Sequence, residues 1–161
     1  MTGAEMTGAD VTAAAFRLRP YRPDDEDAAI ELWRMTWQLA YPSIDFHARV
    51  DWWRKRWREE LVPNAHVTVA ETDSALLGFV TIDGAGYLDQ IVVHPDAWGS
   101  PLATALLDEA KRLSPQSVTL LVNADNFRAI RFYEKHGFAH DGDDVNPTSG
   151  RAVKRMVWRG S

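Results

Sequence analysis

The spacing of the apolar residues alternates between the helical repeat of about 3.6 and the strand repeat of two, and this alternation restricts the fold most strongly. Two helical stretches follow a first short strand, and the second of them ends at Pro63 and Asn64. Three stretches with strand spacing then come in succession. A helix, a strand, a helix and two closing strands complete the pattern. The sequence therefore predicts a mixed α/β (α+β) fold, with a twisted central sheet of about seven strands and helices on both faces. The predicted elements are strands at 16–19, 66–71, 76–83, 87–93, 117–122, 138–141 and 151–158, and helices with apolar faces over 29–40, 46–57, 102–113 and 126–136.

Local signals predict how several of these elements begin, end and are covered. Asp24 is placed to cap the first helix, and the acidic residues after it suit the positive end of the helix dipole. The apolar run at 117–122 is typical of a strand that is covered on both faces. Gly137 follows the last predicted helix, where a left-handed residue ends it.

The chain has 161 residues, which is close to the usual size of one domain. Its first fifteen residues contain the near-copies MTGAE and MTGAD and little hydrophobic bulk. We therefore predict a disordered leader at 1–15 and a single domain over 16–161.

Composition excludes several kinds of site and partner. Because the chain has no cysteine, it forms no disulfide, thiolate metal site or cysteine nucleophile, and a cytoplasmic location is expected. No stretch reaches the roughly 18 consecutive apolar residues of a membrane helix, so no membrane partner is expected. The net charge of -5 argues against binding to nucleic acid, which depends on Lys and Arg. No metal is expected, because metal-ligand spacing is absent among His47, His66, His136 and His140.

The stretch from residue 87 to residue 138 has the order strand, loop, helix, strand, helix. A loop that opens a helix directly after a strand points free backbone N–H groups outward, and these groups and the helix dipole favour a bound diphosphate. Many loops of this kind bind nothing, so the order of elements alone leaves the function open.

Three segments of this stretch resemble the GNAT superfamily of N-acetyltransferases: YLDQIVVHP at 87–95, LATALL at 102–107 and NADNFRAIRFYEKHGF at 123–138. The resemblance covers most of residues 16–158, and the element order matches as well. It implies direct transfer of an acetyl group from acetyl-CoA to an amine. It also implies that a bulge in the strand before the phosphate loop splays two neighbouring strands of the sheet.

In this family the pantetheine arm of acetyl-CoA lies in the gap between the splayed strands. The resemblance therefore assigns cofactor binding to Ile91, Val92 and Val93. The backbone groups of Ile91 and Val93 are expected to hold the acetyl carbonyl and the pantetheine amides.

The phosphate loop departs from the family pattern, which resembles Gln/Arg-x-x-Gly-x-Gly/Ala. The corresponding residues run from Trp98 to Ala103, and only Ala103 fits. Pro101 removes one N–H donor, and losing one hydrogen bond to a charged phosphate costs roughly 1.5 to 3 kcal/mol, or about ten- to a hundredfold in affinity. Weak binding is therefore expected. The residues assigned to phosphate binding are Trp98, Gly99, Ser100, Leu102, Ala103 and Thr104, with Trp98 unable to repeat the role of Gln or Arg.

The resemblance also assigns roles to Tyr133 and Asn126. Tyr133 matches the tyrosine that protonates the departing coenzyme A thiolate, and a phenol with an ordinary pKa near 10 is protonated at neutral pH. Packing in the core explains an aromatic residue at this position as well. Asn126 either hydrogen-bonds the pantetheine arm or caps the following helix, and the two roles are equally compatible with the sequence.

The attacking amine must lose a proton, and a carboxylate on the central strands is the expected base, acting directly or through water. Asp89 is the first candidate, ahead of Asp83 and Glu71. Alternation along a strand sends half of such side chains to solvent, so a structural role remains open for each.

Five of the seven tryptophans fall on the first two helices, which form the acceptor side in the family. Trp37 and Tyr41 are the predicted substrate contacts, because aromatic side chains can wall an apolar or cationic pocket. Core packing or a dimer surface explains the same residues equally well, and a homodimer is compatible with this aromatic surplus. The predicted acceptor is a small amine or a peptide.

Two other functions are consistent with the sequence. The first is a binding or sensor module of the same fold that has lost efficient coenzyme binding, and Trp98 and Pro101 favour it. The second is a transferase of the same kind that uses a longer acyl-CoA in place of acetyl-CoA.

Overall fold

The computed structural model describes residues 16–147 and 149–160, so the leader predicted at 1–15 lies outside the described residues. In the described part, seven strands and four main helices follow one another in the predicted order. The strands are β1 (Arg17–Pro20), β2 (Ala65–Glu71), β3 (Leu76–Asp83), β4 (Leu88–Val93), β5 (Ser117–Asn123), β6 (Ala139–Val145) and β7 (Ala152–Arg159). The helices are α1 (Glu26–Ala40), α2 (Val50–Arg56), α3 (Leu102–Leu113) and α4 (Phe127–Lys135). The predicted mixed α/β class is confirmed.

The described strands form two antiparallel sheets, in the orders β1-β2-β3-β4 and β5-β7-β6. A parallel bridge between Tyr87 and Thr119 joins them, and the Thr119 amide donates a hydrogen bond of 2.8 Å to the Gly86 carbonyl. Beyond this bridge, β4 and β5 form no ladder with each other among the described residues. The sheet is therefore splayed between β4 and β5, as the resemblance implies.

A bulge in β4 lies just before the strands separate. Val80 pairs with Ile91 and Ile82 pairs with Leu88, so that two residues of β4 stand opposite the single residue Thr81. The buried Thr81 hydroxyl accepts a hydrogen bond of 3.0 Å from the Gln90 amide, which satisfies a backbone donor that the bulge removes from the ladder.

Helices cover both faces of the four-stranded sheet. On one face, α1 and α2 bury a cluster rich in aromatic residues, in which the rings of Trp57 and Phe79 meet edge to face at 5.1 Å. On the other face, α3 packs Leu102 and Leu106 against Val80 of β3 and the apolar side of β5. Each core depends on the alternation of side chains along the strands.

The start of α1 differs from the prediction that Asp24 caps it. A 3₁₀ turn at Pro23–Asp25 precedes the helix, and the buried residue is Asp25. Its carboxylate accepts hydrogen bonds from the Arg22 amide at 2.7 Å and from the Arg19 guanidinium at 2.8 and 2.7 Å. Arg19 on β1 is the cationic partner, which explains why Asp25 and not Asp24 is buried at the start of α1.

The second helix and β5 also differ in part from their predicted form. After α2 the chain continues through a π-helical turn at Trp57–Leu61 and a last helical turn at Val62–Asn64. The prediction that residues 117–122 are covered on both faces was wrong, because burial alternates along β5. The apolar clusters show that α1 and α2 pack on the four-stranded sheet, which leaves one face of β5 half covered. Gly137 has a φ of 91° and ends the last helix, as predicted.

Candidate active site

A cleft of about 740 Å³ opens beyond the bulge, between the end of β4, the start of α3 and the side of α4. The end of α1 closes it on a fourth side. The predicted site residues that line this cleft are Ile91, Val93, Trp98, Gly99, Ser100, Ala103, Thr104, Asn126, Tyr133 and Tyr41. Other predicted residues lie elsewhere: the side chains of Val92 and Leu102 are in the core, Trp37 lies behind Tyr41, and Asp89 lines a different cavity.

The open edge of β4 faces into the cleft. The His94 amide donates a hydrogen bond of 2.7 Å to the Leu77 carbonyl on β3. Because antiparallel pairs alternate between bonded and non-bonded positions, the amides and carbonyls of Val93 and Ile91 point away from β3. These backbone groups are therefore available to an extended ligand that lies along β4.

One of these groups is already engaged by a side chain. The indole N–H of Trp98 donates a hydrogen bond of 2.7 Å to the Val93 carbonyl. The ring is 40% exposed, and the guanidinium of Arg128 on α4 lies 5.3 Å from its centroid. Trp98 and Arg128 thus reach towards each other across the cleft entrance.

The loop before α3 uses part of its own hydrogen-bonding capacity. The Ser100 amide donates to the Ala97 carbonyl at 3.1 Å, and the Leu102 amide donates to the Ser100 hydroxyl oxygen at 3.2 Å. Among the residues predicted to bind phosphate, the amides of Ser100 and Leu102 are therefore already occupied. In the described structure, the amides of Gly99, Ala103 and Thr104 have no acceptor, and the Ser100 hydroxyl keeps its own proton to donate.

Glycine is required at the turn of this loop. Gly99 has a φ of 84°, which is in the left-handed region, and a Cβ there would be strained. Pro101 directly precedes the first residue of α3, and its carbonyl accepts the Ala105 amide at 3.0 Å. The proline is thus placed where its missing N–H is tolerated, as expected for a helix start.

Tyr133 projects from α4 into the floor of the cleft. The side chain is only 8% exposed, and its ring lies 5.4 Å from that of Phe132 and 5.6 Å from that of Phe138. Burial raises the pKa of the Tyr133 phenol well above its ordinary value. The hydroxyl forms no hydrogen bond with the part of the chain that is described, so its proton is free for a ligand.

Asn126 caps α4, since its side-chain oxygen accepts the Ala129 amide at 3.2 Å. This supports the capping role that the sequence left open. Asn126 also lines the cleft.

His136 is a cleft residue to which the sequence gave no role. Its Nε2 lies 3.3 Å from the Thr104 hydroxyl at the start of α3, and the Lys111 ammonium donates to its carbonyl at 2.7 Å. Burial, followed by the charge of Lys111, lowers the pKa of the His136 imidazole. The partners are far apart in the sequence, so no local pattern could have indicated this contact.

A cluster of polar and aromatic side chains surrounds Tyr41, which lines the cleft near the end of α1. The Asn123 side-chain amide donates to the Tyr41 hydroxyl, and the Arg151 guanidinium lies 4.6 Å from the centroid of the Tyr41 ring. Trp37 stacks on the other side of Tyr41 at 5.7 Å, and Asp125 approaches Arg151 at 3.8 Å. The sequence predicted Trp37 and Tyr41 as substrate contacts and gave no role to the three polar residues of this cluster.

The three carboxylates predicted as bases all have structural partners outside the cleft. Asp89 is bound by the Arg56 guanidinium at 3.1 and 2.6 Å and lines a separate cavity of about 260 Å³. Asp83 accepts the amides of Ala85 and Tyr87 at 2.9 Å each. Glu71 pairs with two arginines on β1, Arg17 and Arg19. Of the described carboxylates, Asp125 is the one that lines the cleft.

The described side chains include no group of three or more His, Cys, Asp and Glu residues that could hold a metal ion. Among the helices over residues 16–147 and 149–160, none has the length and apolar character needed to cross a membrane.

Comparison with known proteins places the chain among acetyltransferases. A model of the acetyltransferase (GNAT) family matches residues 26–138. The peptidyl-lysine N-acetyltransferase YjaB of Salmonella typhimurium is 30% identical over 132 residues, which cover 79% of this chain and 86% of that protein. A mycothiol acetyltransferase of Kineococcus radiotolerans is 32% identical over 146 residues, covering 86% of this chain and 47% of that protein. The chain thus spans about half the length of the mycothiol enzyme.

Solved structures show the same fold at lower identity. The solution structure of apo YjaB from Escherichia coli has a TM-score of 0.74 at 21% identity and covers 91% of this chain and 99% of that one. The PaiA N-acetyltransferase of Thermoplasma acidophilum, solved with coenzyme A, has a TM-score of 0.69 at 21% identity, covering 90% and 99%.

Proposed function

The chain belongs to the acetyltransferase (GNAT) family, and from this premise we propose that it transfers an acetyl group directly to a primary amine of a small molecule or peptide. It is an acyltransferase, and its cosubstrate is acetyl-CoA.

The observation that carries this proposal is the arrangement of β4 and Tyr133 around one cleft. The outward backbone groups of Ile91 and Val93 line one side, and the phenol of Tyr133 lies on the floor. An extended pantetheine arm fits the open edge of β4 as an additional strand would, through backbone hydrogen bonds. The three free amides at the start of α3 suit a diphosphate.

The reaction needs no covalent enzyme intermediate. The amine nitrogen attacks the thioester carbonyl carbon, a C–N bond forms, and the Ile91 amide stabilises the negative charge that develops on the oxygen. Collapse of this tetrahedral species breaks the C–S bond. Tyr133 gives its proton to the departing sulfur. The attacking amine releases a proton to solvent, and Tyr133 is re-protonated from solvent.

Burial keeps the proton on the Tyr133 phenol at neutral pH. A thiol ionises near pH 8.5, whereas burial keeps the phenol protonated well above that pH. The proton is therefore present when the sulfur needs it. The same burial makes phenolate costly, so re-protonation is strongly favoured after each turnover.

The general base is better sought at the acceptor end than at Asp89. Asp89 is held by Arg56 next to the bulge, so we propose that it fixes the shape of β4. Asp125 is the cleft carboxylate, and with Arg151 and Tyr41 it frames the space where the acceptor amine must enter. A carboxylate there also favours a cationic acceptor by charge complementarity.

The direct test is a screen for thiol release. Purified protein is incubated with acetyl-CoA and a panel of lysine-containing peptides and small primary amines, and free coenzyme A thiol is measured. We expect amine-dependent thiol release together with an acetylated product of matching mass. A protein that binds acetyl-CoA but acetylates none of these amines would contradict the proposal.

A further inference from the structure

We propose that His136 binds the diphosphate of the coenzyme and does so as an imidazolium, so that coenzyme binding takes up a proton. This inference rests on the proposed function, because it assumes that acetyl-CoA occupies the cleft described above. It assigns to His136 a binding role that compensates for the altered phosphate loop.

The loop presents fewer donors to a diphosphate than its length suggests. Pro101 has no N–H, the Ser100 amide is bonded to Ala97, and the Leu102 amide is bonded to the Ser100 hydroxyl oxygen. The amides left for a ligand are those of Gly99, Ala103 and Thr104. A cationic donor close to these amides would add a charge-assisted hydrogen bond, which is roughly twice as strong as a neutral one.

His136 is positioned to supply that donor. Its Nε2 lies 3.3 Å from the Thr104 hydroxyl, and Thr104 also carries one of the three free amides. Both residues line the same cleft. An anion that accepts hydrogen bonds from the first turn of α3 therefore lies beside the imidazole, which becomes a donor at both nitrogens once it is protonated.

The charges around His136 explain why the proton arrives with the ligand. On α3, Lys111 disfavours the imidazolium and Asp108 favours it, while Lys135 on α4 disfavours it. Burial is the largest cause, and burial and the two lysines outweigh Asp108, so the pKa of His136 is lowered in the free protein. A diphosphate adds negative charge on the cleft side, which raises that pKa again. By linkage, affinity for the diphosphate then rises as the pH falls.

The other cations of the cleft have different surroundings. Arg128 lies over the Trp98 ring, and Lys135 is exposed on α4. Among ordinary side chains, the imidazole is the group whose charge changes between pH 5 and 8. Proton uptake in this range therefore separates a contribution of His136 from theirs.

The test uses dephospho-coenzyme A as the probe, because the 3′-phosphate of coenzyme A itself titrates near pH 6 and would obscure the effect. Binding to the full chain is measured by calorimetry between pH 5.5 and 8.0, in buffers of different ionisation enthalpy. We expect net proton uptake within this pH range and affinity that is roughly fivefold higher at pH 5.5 than at pH 8.0, because the bound diphosphate raises the pKa of the imidazole. His136→Gln is expected to abolish the uptake and flatten the profile, while its affinity at pH 8.0 stays within about twofold of the wild-type value.

The control is His66→Gln, since His66 lies on β2, is exposed, and is not among the residues that line the cleft. This variant should retain the proton uptake. If the wild-type protein binds the probe with no proton uptake, the inference is overturned. A folded His136→Gln protein that keeps the full proton uptake would overturn it as well. Absence of any binding of the probe would instead overturn the proposed function, so the two failures are distinguishable.

Discussion

At the scale of single residues, Tyr133 shows how one side chain can serve both the core and the cleft. The sequence left two roles open for this tyrosine, core packing and proton donation. In the structure its ring packs against Phe132 and Phe138, and the same burial raises the pKa of its hydroxyl. The two roles are therefore complementary, because the packing that hides the ring keeps the proton on the oxygen.

Replacing Tyr133 by phenylalanine should separate turnover from binding. Tyr133→Phe is expected to lower kcat by about a hundredfold or more, which is typical of a lost general acid, while the Kd of acetyl-CoA changes little. Tyr87→Phe is the control, since Tyr87 is a half-buried tyrosine that lines the separate cavity. Weaker binding with unchanged kcat in Tyr133→Phe would rule out the acid role. Because burial raises the pKa of Tyr133, its ionisation should cause no fall in kcat below about pH 10.

The indole of Trp98 should compete with the coenzyme for β4. Its N–H occupies the Val93 carbonyl, which a pantetheine amide needs in the proposed complex. Trp98→Phe keeps an aromatic ring and removes the donor, so coenzyme A should bind about fivefold more tightly, the equivalent of about 1 kcal/mol for one hydrogen bond. Trp52→Phe serves as the control, because Trp52 is exposed on α2 and does not line the cleft. Unchanged or weaker binding by Trp98→Phe would mean that the indole is no competitor.

At the scale of elements, the sequence predicted the order and type of the strands and helices and missed contacts between distant elements. The helical repeat of α3 and the glycine after α4 are local signals, and both elements were predicted correctly. The half-covered face of β5 depends on where α1 and α2 pack, which the strand itself does not encode. The bond between Asn123 and Tyr41 joins residues 82 positions apart, so the acceptor end of the cleft could not be read from spacing.

The phosphate loop illustrates the same limit within one short segment. The departure of Trp98 and Pro101 from the family pattern was visible in the sequence. Which amides remain free was not, because the bonds of Ser100 and Leu102 depend on the turn that the chain adopts there. The contact of this loop with His136 depends in turn on how α4 packs beside α3.

The junction between β1 and α1 should be sensitive to Asp25 and insensitive to its neighbour. Asp25→Asn weakens the bonds from Arg19 and Arg22 and is expected to lower the free energy of unfolding by about 1.5 to 3 kcal/mol. Asp24→Asn is the control, since Asp24 is exposed. Urea unfolding of both variants at pH 7 measures the difference, and equal effects would show that the predicted cap at Asp24 matters as much.

The pH dependence of this junction follows from the same contacts. Hydrogen bonds from Arg19, supported by the Arg22 amide, lower the pKa of Asp25 below its ordinary value of 3.8. The pKa of Asp25 is thus lower in the folded state than in the unfolded state. The stabilisation is therefore complete above about pH 4 and is lost as the pH falls through the folded-state pKa. The difference in stability between the wild type and Asp25→Asn should therefore shrink as the pH is lowered from 5 to 2.

At the scale of the whole molecule, function follows from two sheets that meet at one bridge and then part. The bridge between Tyr87 and Thr119 holds β4 and β5 together at one end, and the bulge directs β4 away from β5 beyond it. The open edge of β4, the start of α3 and the phenol of Tyr133 then face one cleft. Each part has a structural reason of its own, and their convergence gives the site.

The structure of the chain with coenzyme A bound tests this convergence most directly. We predict that the pantetheine arm lies along β4 with hydrogen bonds to Ile91 and Val93, that the sulfur lies within hydrogen-bonding distance of the Tyr133 hydroxyl, and that the Trp98 indole has left the Val93 carbonyl. Coenzyme bound outside the cleft, with the Trp98 indole still on Val93 and the edge of β4 empty, would contradict the account.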